Sequence, residues 1–119
     1  MRKIYFIILL FFVFQIQAQE KKGEASYYHS KFNGKKTATG DLFDNTLLTA
    51  ASNTFKLGTK VVVTNLKNGK KVEVLINDRM SKYNKRLIDL SHEAARKIDM
   101  IKHGICQVKV EILQTIESD

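Results

Sequence analysis

A chain of 119 residues with a single cysteine has room for one domain around one core, and no internal disulfide can brace it. Twenty Lys and Arg against twelve Asp and Glu leave a formal net charge of +8, which calls for an anionic neighbour. The cations are scattered rather than clustered, which argues against nucleic acid and for an acidic wall polymer or a membrane surface.

Met1-Arg2-Lys3 precedes an apolar run from Ile4 to Phe14, closed by Gln15-Ile16-Gln17-Ala18-Gln19. A positive start, a short apolar stretch and a small residue at its end make a secretory signal. The run of about eleven residues falls well short of the roughly twenty that cross a bilayer. Cleavage after Ala18 is expected, dividing the chain into a signal peptide (1–18) and a mature domain (19–119) that is periplasmic or extracellular, with no transmembrane segment left. The only cysteine, Cys106, lies far from that point, so no lipid attachment at a new N-terminal cysteine is expected.

After a charged leader, Gln19 to Lys22, the segment Gly23–Tyr28 reads as a first strand, whose adjacent Tyr27 and Tyr28 must point to opposite faces, one buried and one exposed. Residues 29–45 carry Asn33, Gly34, Gly40 and Asn45 and few aliphatics; they read as a long loop, and long loops in small domains are usually functional. Leu47–Ala51 is a short buried strand. Residues 60–78 form an antiparallel hairpin joined through Lys67-Asn68-Gly69-Lys70, whose Asn-Gly pair tolerates positive φ and suits a tight turn.

Within the second hairpin strand Val72, Val74 and Ile76 share one face at period two, and the run ends abruptly in Asn77-Asp78-Arg79. Asp78 there either starts a turn or stands at a sheet edge where chemistry is possible. Arg86–Leu90 is a further strand. Ser91 caps a helix over residues 92–99, with Glu93 in its first turn and Ala94, Ala95, Ile98 and Ile101 on its apolar face. Cys106, Val108, Val110 and Ile112 alternate along a last strand, Cys106 as a small buried hydrophobe, before a frayed tail, Glu117–Asp119. Six short strands and one helix predict a mainly β fold, a small closed barrel rather than a sandwich.

Gly23-Glu-Ala-Ser-Tyr-Tyr28, Thr37-Ala-Thr-Gly40, Phe43-Asp44, Leu48-Thr-Ala-Ala51, Leu57-Gly-Thr59, Val63-Thr-Asn-Leu66, Asn68-Gly69, Ile76-Asn-Asp-Arg79 and Ile88-Asp-Leu-Ser91 together resemble the rare lipoprotein A family, in order through nearly all of the mature chain. The resemblance implies a six-stranded double-psi β-barrel with one short helix. It also implies an endolytic lytic transglycosylase that cuts the β-1,4 bond after N-acetylmuramic acid in peptidoglycan glycan strands and leaves a 1,6-anhydro ring. Such chemistry needs an acid and a base and neither metal nor cofactor.

The family's two carboxylates fall on Asp41 and Asp78, its active-site histidine on Ser52, with Arg79 supporting and Tyr27, Tyr28 and Asn77 as substrate-binding candidates. The chain departs from the family pattern where Asp41 replaces the usual Glu, Ser52 the His, and Met80-Ser81 a Gly-Pro pair. Asp44 and Asp89 read as structural, bonding backbone amides at strand ends. His29, His92 and His103 have no partner at metal-ligand spacing, so no metal is expected. The alternative to an enzyme is a peptidoglycan-binding module on the same barrel, and a weaker one is an inhibitor or adaptor.

Overall fold

Period-two alternation builds the interior. Val61 and Val63, Val72, Val74 and Ile76, and Val108 and Val110 are all buried, each set on one face of its strand. The computed structural model describes residues 20–114; the expected signal peptide and the tail Glu117–Asp119 lie outside the described residues. The elements are β1 (Glu20–Tyr27), a 3₁₀ turn (Ser30–Phe32), β2 (Thr49–Ala51), β3 (Lys60–Asn65), β4 (Lys71–Asp78), β5 (Ile88–Leu90), α1 (His92–Lys97) and β6 (Cys106–Gln114).

The six strands close in the order β1-β5-β2-β4-β3-β6. Two contacts are parallel, β1 with β5 and β2 with β4, and the other four antiparallel. Parallel neighbours cannot be joined by a tight turn, so the chain crosses over twice, through residues 28–48 and 79–87. This is the small closed barrel with one helix that the strand pattern predicts, in the double-psi arrangement that the family resemblance implies.

Several boundaries differ from the sequence reading. The leader residues Glu20, Lys21 and Lys22 belong to β1, pairing with Glu111, Val110 and Lys109 of β6, because barrel closure needs a partner along that whole edge. The β3–β4 connection uses positive φ at Gly69 (78°) but not at Asn68. Asn68 instead accepts from Lys70 N and donates to the Ile98 carbonyl. The helix stops at Lys97, short of residue 99. The Asn65 amide donates to the Ile98 carbonyl at 2.8 Å, and Asp99 then turns into the left-handed region at φ 62°. Its N-terminus is as expected, with Ser91 Oγ accepting from Ala94 N. Cys106 is half-buried rather than buried, its Sγ 3.8 Å from Met100 Sδ.

Candidate active site

The two crossing loops meet over the ends of β1, β4 and β5. Between them runs a groove of about 500 Å³ whose wall includes Tyr28, Lys35, Asp78, Arg79, Met80 and Asp89. Beneath it lies a small second core in which Tyr28 stacks on Phe43, ring centroids 4.0 Å apart, with Ala51 buried alongside and Met80 packed on the cluster. Met80 therefore forms part of the groove's apolar support.

Asp78 sits at the end of β4 behind an irregularity in the ladder. Ala50 pairs with Ile76 but Ala51 with Asp78, so Asn77 is an extra residue, and bulges of this kind re-aim the strand that carries them. The carboxylate accepts three hydrogen bonds: Tyr28 Oη to Oδ2 at 2.5 Å, and Ala38 N and Arg79 N to Oδ1, each at 2.9 Å. A carboxylate has about four acceptor directions, so roughly one is left for a ligand. Burial, and next the bond to Asp78, push the Tyr28 phenol far above its usual range, so it remains a donor throughout the ordinary pH scale.

The loop that supplies Ala38 N is not structureless. Lys36 bridges Leu42, Phe43 N donates to the Lys35 carbonyl at 2.7 Å, and Gly40, at φ 95°, closes a turn by donating to the Thr37 carbonyl. Thr39 N donates to the Asn77 carbonyl, which pins the turn to the β4 bulge. Asp41 leaves this turn exposed, its Oδ2 accepting from Thr39 Oγ1 at 3.0 Å. Asp41 and Asp78 thus share one hydrogen-bonded patch, yet Asp41 is not part of the groove wall.

The remaining candidates divide in the same way. Arg79 donates through one guanidinium nitrogen to the Ser52 and Phe55 carbonyls, holding the following loop against the β2 exit. Ser52 is fully buried; its Oγ donates to the Leu87 carbonyl and accepts from Thr54 N, so it turns away from the groove. Asn77 is buried, with its Oδ1 unpartnered. Tyr28 is buried and Tyr27 half-buried, where the strand reading expects one tyrosine buried and the other exposed. Tyr27 lies across β1 from Tyr28, meets His92 edge-on and donates to the Ile101 carbonyl, outside the groove wall.

Asp44 is structural as read, its Oδ1 accepting from Thr46 N and Oγ1, bonds that lower its pKa. Asp89 is different. Among the described residues it bonds no backbone amide and accepts only from Ser26 Oγ at 2.9 Å, and it stands in the groove wall. Burial raises its pKa, against the opposing effects of Ser26 and Arg86, and the charge of Asp78 adds to the rise. Sequence reasoning missed it because Ile-Asp-Leu-Ser also reads as a strand leading to a cap; the signal was a carboxylate inside a strand, where Asp is a poor fit.

A closed barrel with two parallel crossings, bearing its polar groove over the crossing loops, defines the class of double-psi β-barrels. Solved structures agree. The Streptomyces papain inhibitor aligns with a TM-score of 0.66 at 22% identity, covering 81% of this chain and 96% of its own. An apo expansin from Clavibacter michiganensis aligns with a TM-score of 0.62 at 20% identity, covering 84% and 53%. At those identities the likeness is one of fold. A family profile described as lytic transglycolase matches residues 20–110. Among curated relatives, the endolytic peptidoglycan transglycosylase RlpA of Haemophilus influenzae is 50% identical over 98 residues, 82% of this chain and 34% of the relative. That of Pasteurella multocida is 50% identical over 94 residues, 79% and 32%. That of Pseudomonas aeruginosa PAO1 is 44% identical over 101 residues, 85% and 30%. The chain belongs to the lytic transglycolase family and, within it, to the rare lipoprotein A (RlpA) proteins. It spans about a third of the length of these relatives.

Proposed function

We propose that this domain is an endolytic lytic transglycosylase of peptidoglycan, exported by residues 1–18 and not lipidated, working outside the cytoplasm on glycan strands. The observation that carries the reading is Asp78, held by three donors in the wall of a groove and keeping one acceptor direction open. In this reading the open lone pair takes the proton of the muramic acid 6-hydroxyl. The freed oxygen attacks C1 of the same sugar, the C1–O4 bond to the neighbouring glucosamine breaks with its electron pair on O4, which takes up a proton from an acid, and a 1,6-anhydro ring closes without water. Tyr28 and the two amides keep the carboxylate aimed while this happens. Arg79 supports the site through the backbone it ties down.

The second reading, a peptidoglycan-binding module, draws on Ser52, which cannot act as acid or base near neutral pH and whose hydroxyl is engaged inside the barrel wall. One experiment separates the two. Isolated sacculi incubated with the protein and analysed by mass spectrometry should release 1,6-anhydro-muropeptides, and Asp78→Asn should abolish release while leaving the fold and sacculus binding intact. Binding without anhydro product at high protein concentration would leave the module reading standing and end the enzyme reading.

A further inference from the structure

We infer that Asp89 is the proton donor of this groove, the acid that protonates the leaving glycosidic oxygen while Asp78 takes the proton of the attacking hydroxyl. The inference rests on the transglycosylase reading and adds to it a catalytic residue that neither the family pattern nor the strand pattern assigned.

The argument begins with register. Ala51 pairs with Asp78 of β4 on one side and with Asp89 of β5 on the other, and Asp89 in turn pairs with Ser26 of β1. One row across four strands therefore reads Ser26, Asp89, Ala51, Asp78. Residues directly opposite in a sheet present their side chains on the same face, and the Ser26–Asp89 bond obeys this. Strands are spaced about 4.8 Å apart, so the backbones of Asp78 and Asp89 are roughly 9.5 Å apart. The residue between them is alanine, buried in the small core with Tyr28 and Phe43, and the Tyr28 phenol of that core reaches Asp78. Carboxyl pairs in glycosidases span about 5 to 9.5 Å, and a backbone separation of this size agrees with that span.

The chemistry of the position agrees. Asp89 lies inside a strand, is partly buried and, among the described residues, forms no ion pair and has one neutral hydrogen bond. A carboxyl so placed is a cost to the fold that packing does not explain. Burial favours its protonated form, as an acid requires, and the charge on Asp78 favours it further. Asp41, the other candidate, is exposed, bonded to Thr39 and outside the groove wall, with no such environment.

The step balances. The Asp89 proton passes to the glycosidic oxygen as the C1–O4 bond breaks and its electron pair stays on O4. The C1–O6 bond forms, and the O6 proton goes to Asp78. Solvent exchange then returns a proton to Asp89 and removes one from Asp78.

The test is leaving-group dependence in the full chain. A dinitrophenolate leaving group needs no acid, whereas the glucosamine 4-hydroxyl does. Asp89→Asn should lower anhydro-muropeptide release from sacculi by on the order of a hundredfold or more. It should cleave an oligosaccharide with 2,4-dinitrophenolate on its terminal muramic acid within about tenfold of wild type, while Asp78→Asn loses both activities. A milder variant guards against misfolding. Ser26→Ala removes a bond that holds the Asp89 pKa down, so the alkaline limb of kcat/KM should move to higher pH. The charged and titratable groups around Asp89 are Asp78, Tyr28, Arg79, Arg86, Lys35 and Lys36, and Ser26→Ala leaves them in place. Equal losses on both substrates in Asp89→Asn, or an unmoved alkaline limb in Ser26→Ala, would overturn the assignment with the transglycosylase intact. A wild type inactive on both substrates would overturn the transglycosylase reading and this assignment together.

Discussion

Asp78 and Asp89 share one row of the barrel and have opposite surroundings. Asp78 is met by three donors, one of them a phenol; Asp89 is met by one hydroxyl and by burial. The difference makes Asp89→Asn a test of stability as well as of rate. Its folded pKa lies above the ordinary carboxyl value of 3.8, so the folded chain holds this proton more tightly than the unfolded chain. That contribution is complete below about 3.8 and is lost as pH rises through the folded pKa, beyond which the fold carries a partly buried charge. Asparagine cannot ionise and can still accept from Ser26. Thermal melts should therefore find Asp89→Asn more stable than wild type at pH 7, with the gain closing as the pH falls towards 4; a lower Tm at pH 7 would contradict the burial argument. Tyr28→Phe keeps the stack on Phe43 and removes one donor to Asp78. A hydrogen bond to a charged group is worth about 1.5–3 kcal/mol, so kcat should drop roughly tenfold to a hundredfold with KM little changed.

At the scale of elements, what could be read locally was read well and what depended on a partner was not. The β4 alternation, the Ser91 cap and the Asn68-Gly69 connection are local patterns, and all three are present. The start of β1 at Glu20 was invisible because Glu, Lys and Lys have no strand pattern; only the β6 edge makes them a strand. Asp41 and Ser52 were placed by their position in a motif, and neither reaches the groove wall, because motif order does not determine which way a side chain turns. The turn around Gly40 is the element on which the site depends most, since it delivers Ala38 N to Asp78 and Thr39 N to Asn77. At φ 95° a β-carbon at position 40 is strained whatever the space around it. Gly40→Ala should thus lower stability by about 1–2 kcal/mol and lower kcat by more than the loss of folded protein accounts for. Comparing activity per folded molecule with the melting curve checks this, and activity that simply tracked the folded fraction would show that the turn does not position Asp78.

For the molecule as a whole, closure and the two parallel contacts cannot be inferred from hydrophobic period, which reports a strand and its buried face but not its neighbour. The family resemblance supplied that arrangement, and the row through Ala51 became visible only once β5 was known to lie between β1 and β2. The groove wall carries Lys35, Lys36 and Arg79, and an adjoining hollow that shares Ser81 and Asn84 with it carries Lys85 and Arg86. This concentrates cations of the +8 chain on the face that holds the candidate acid and base. Peptidoglycan bears carboxylates on its stem peptides, so the long-range part of wall binding should be electrostatic and screened, since the Debye length shrinks from about 10 Å at 0.1 M salt to about 3 Å at 1 M. Co-sedimentation with intact sacculi should weaken by on the order of tenfold across that range, and replacing Lys85 with serine should make the salt dependence shallower while leaving cleavage of a short oligosaccharide unchanged, because Lys85 lies outside the wall that holds Asp78 and Asp89. Binding that stayed constant from low to high salt would mean that the sugar contacts alone hold the wall and that the basic face serves another purpose.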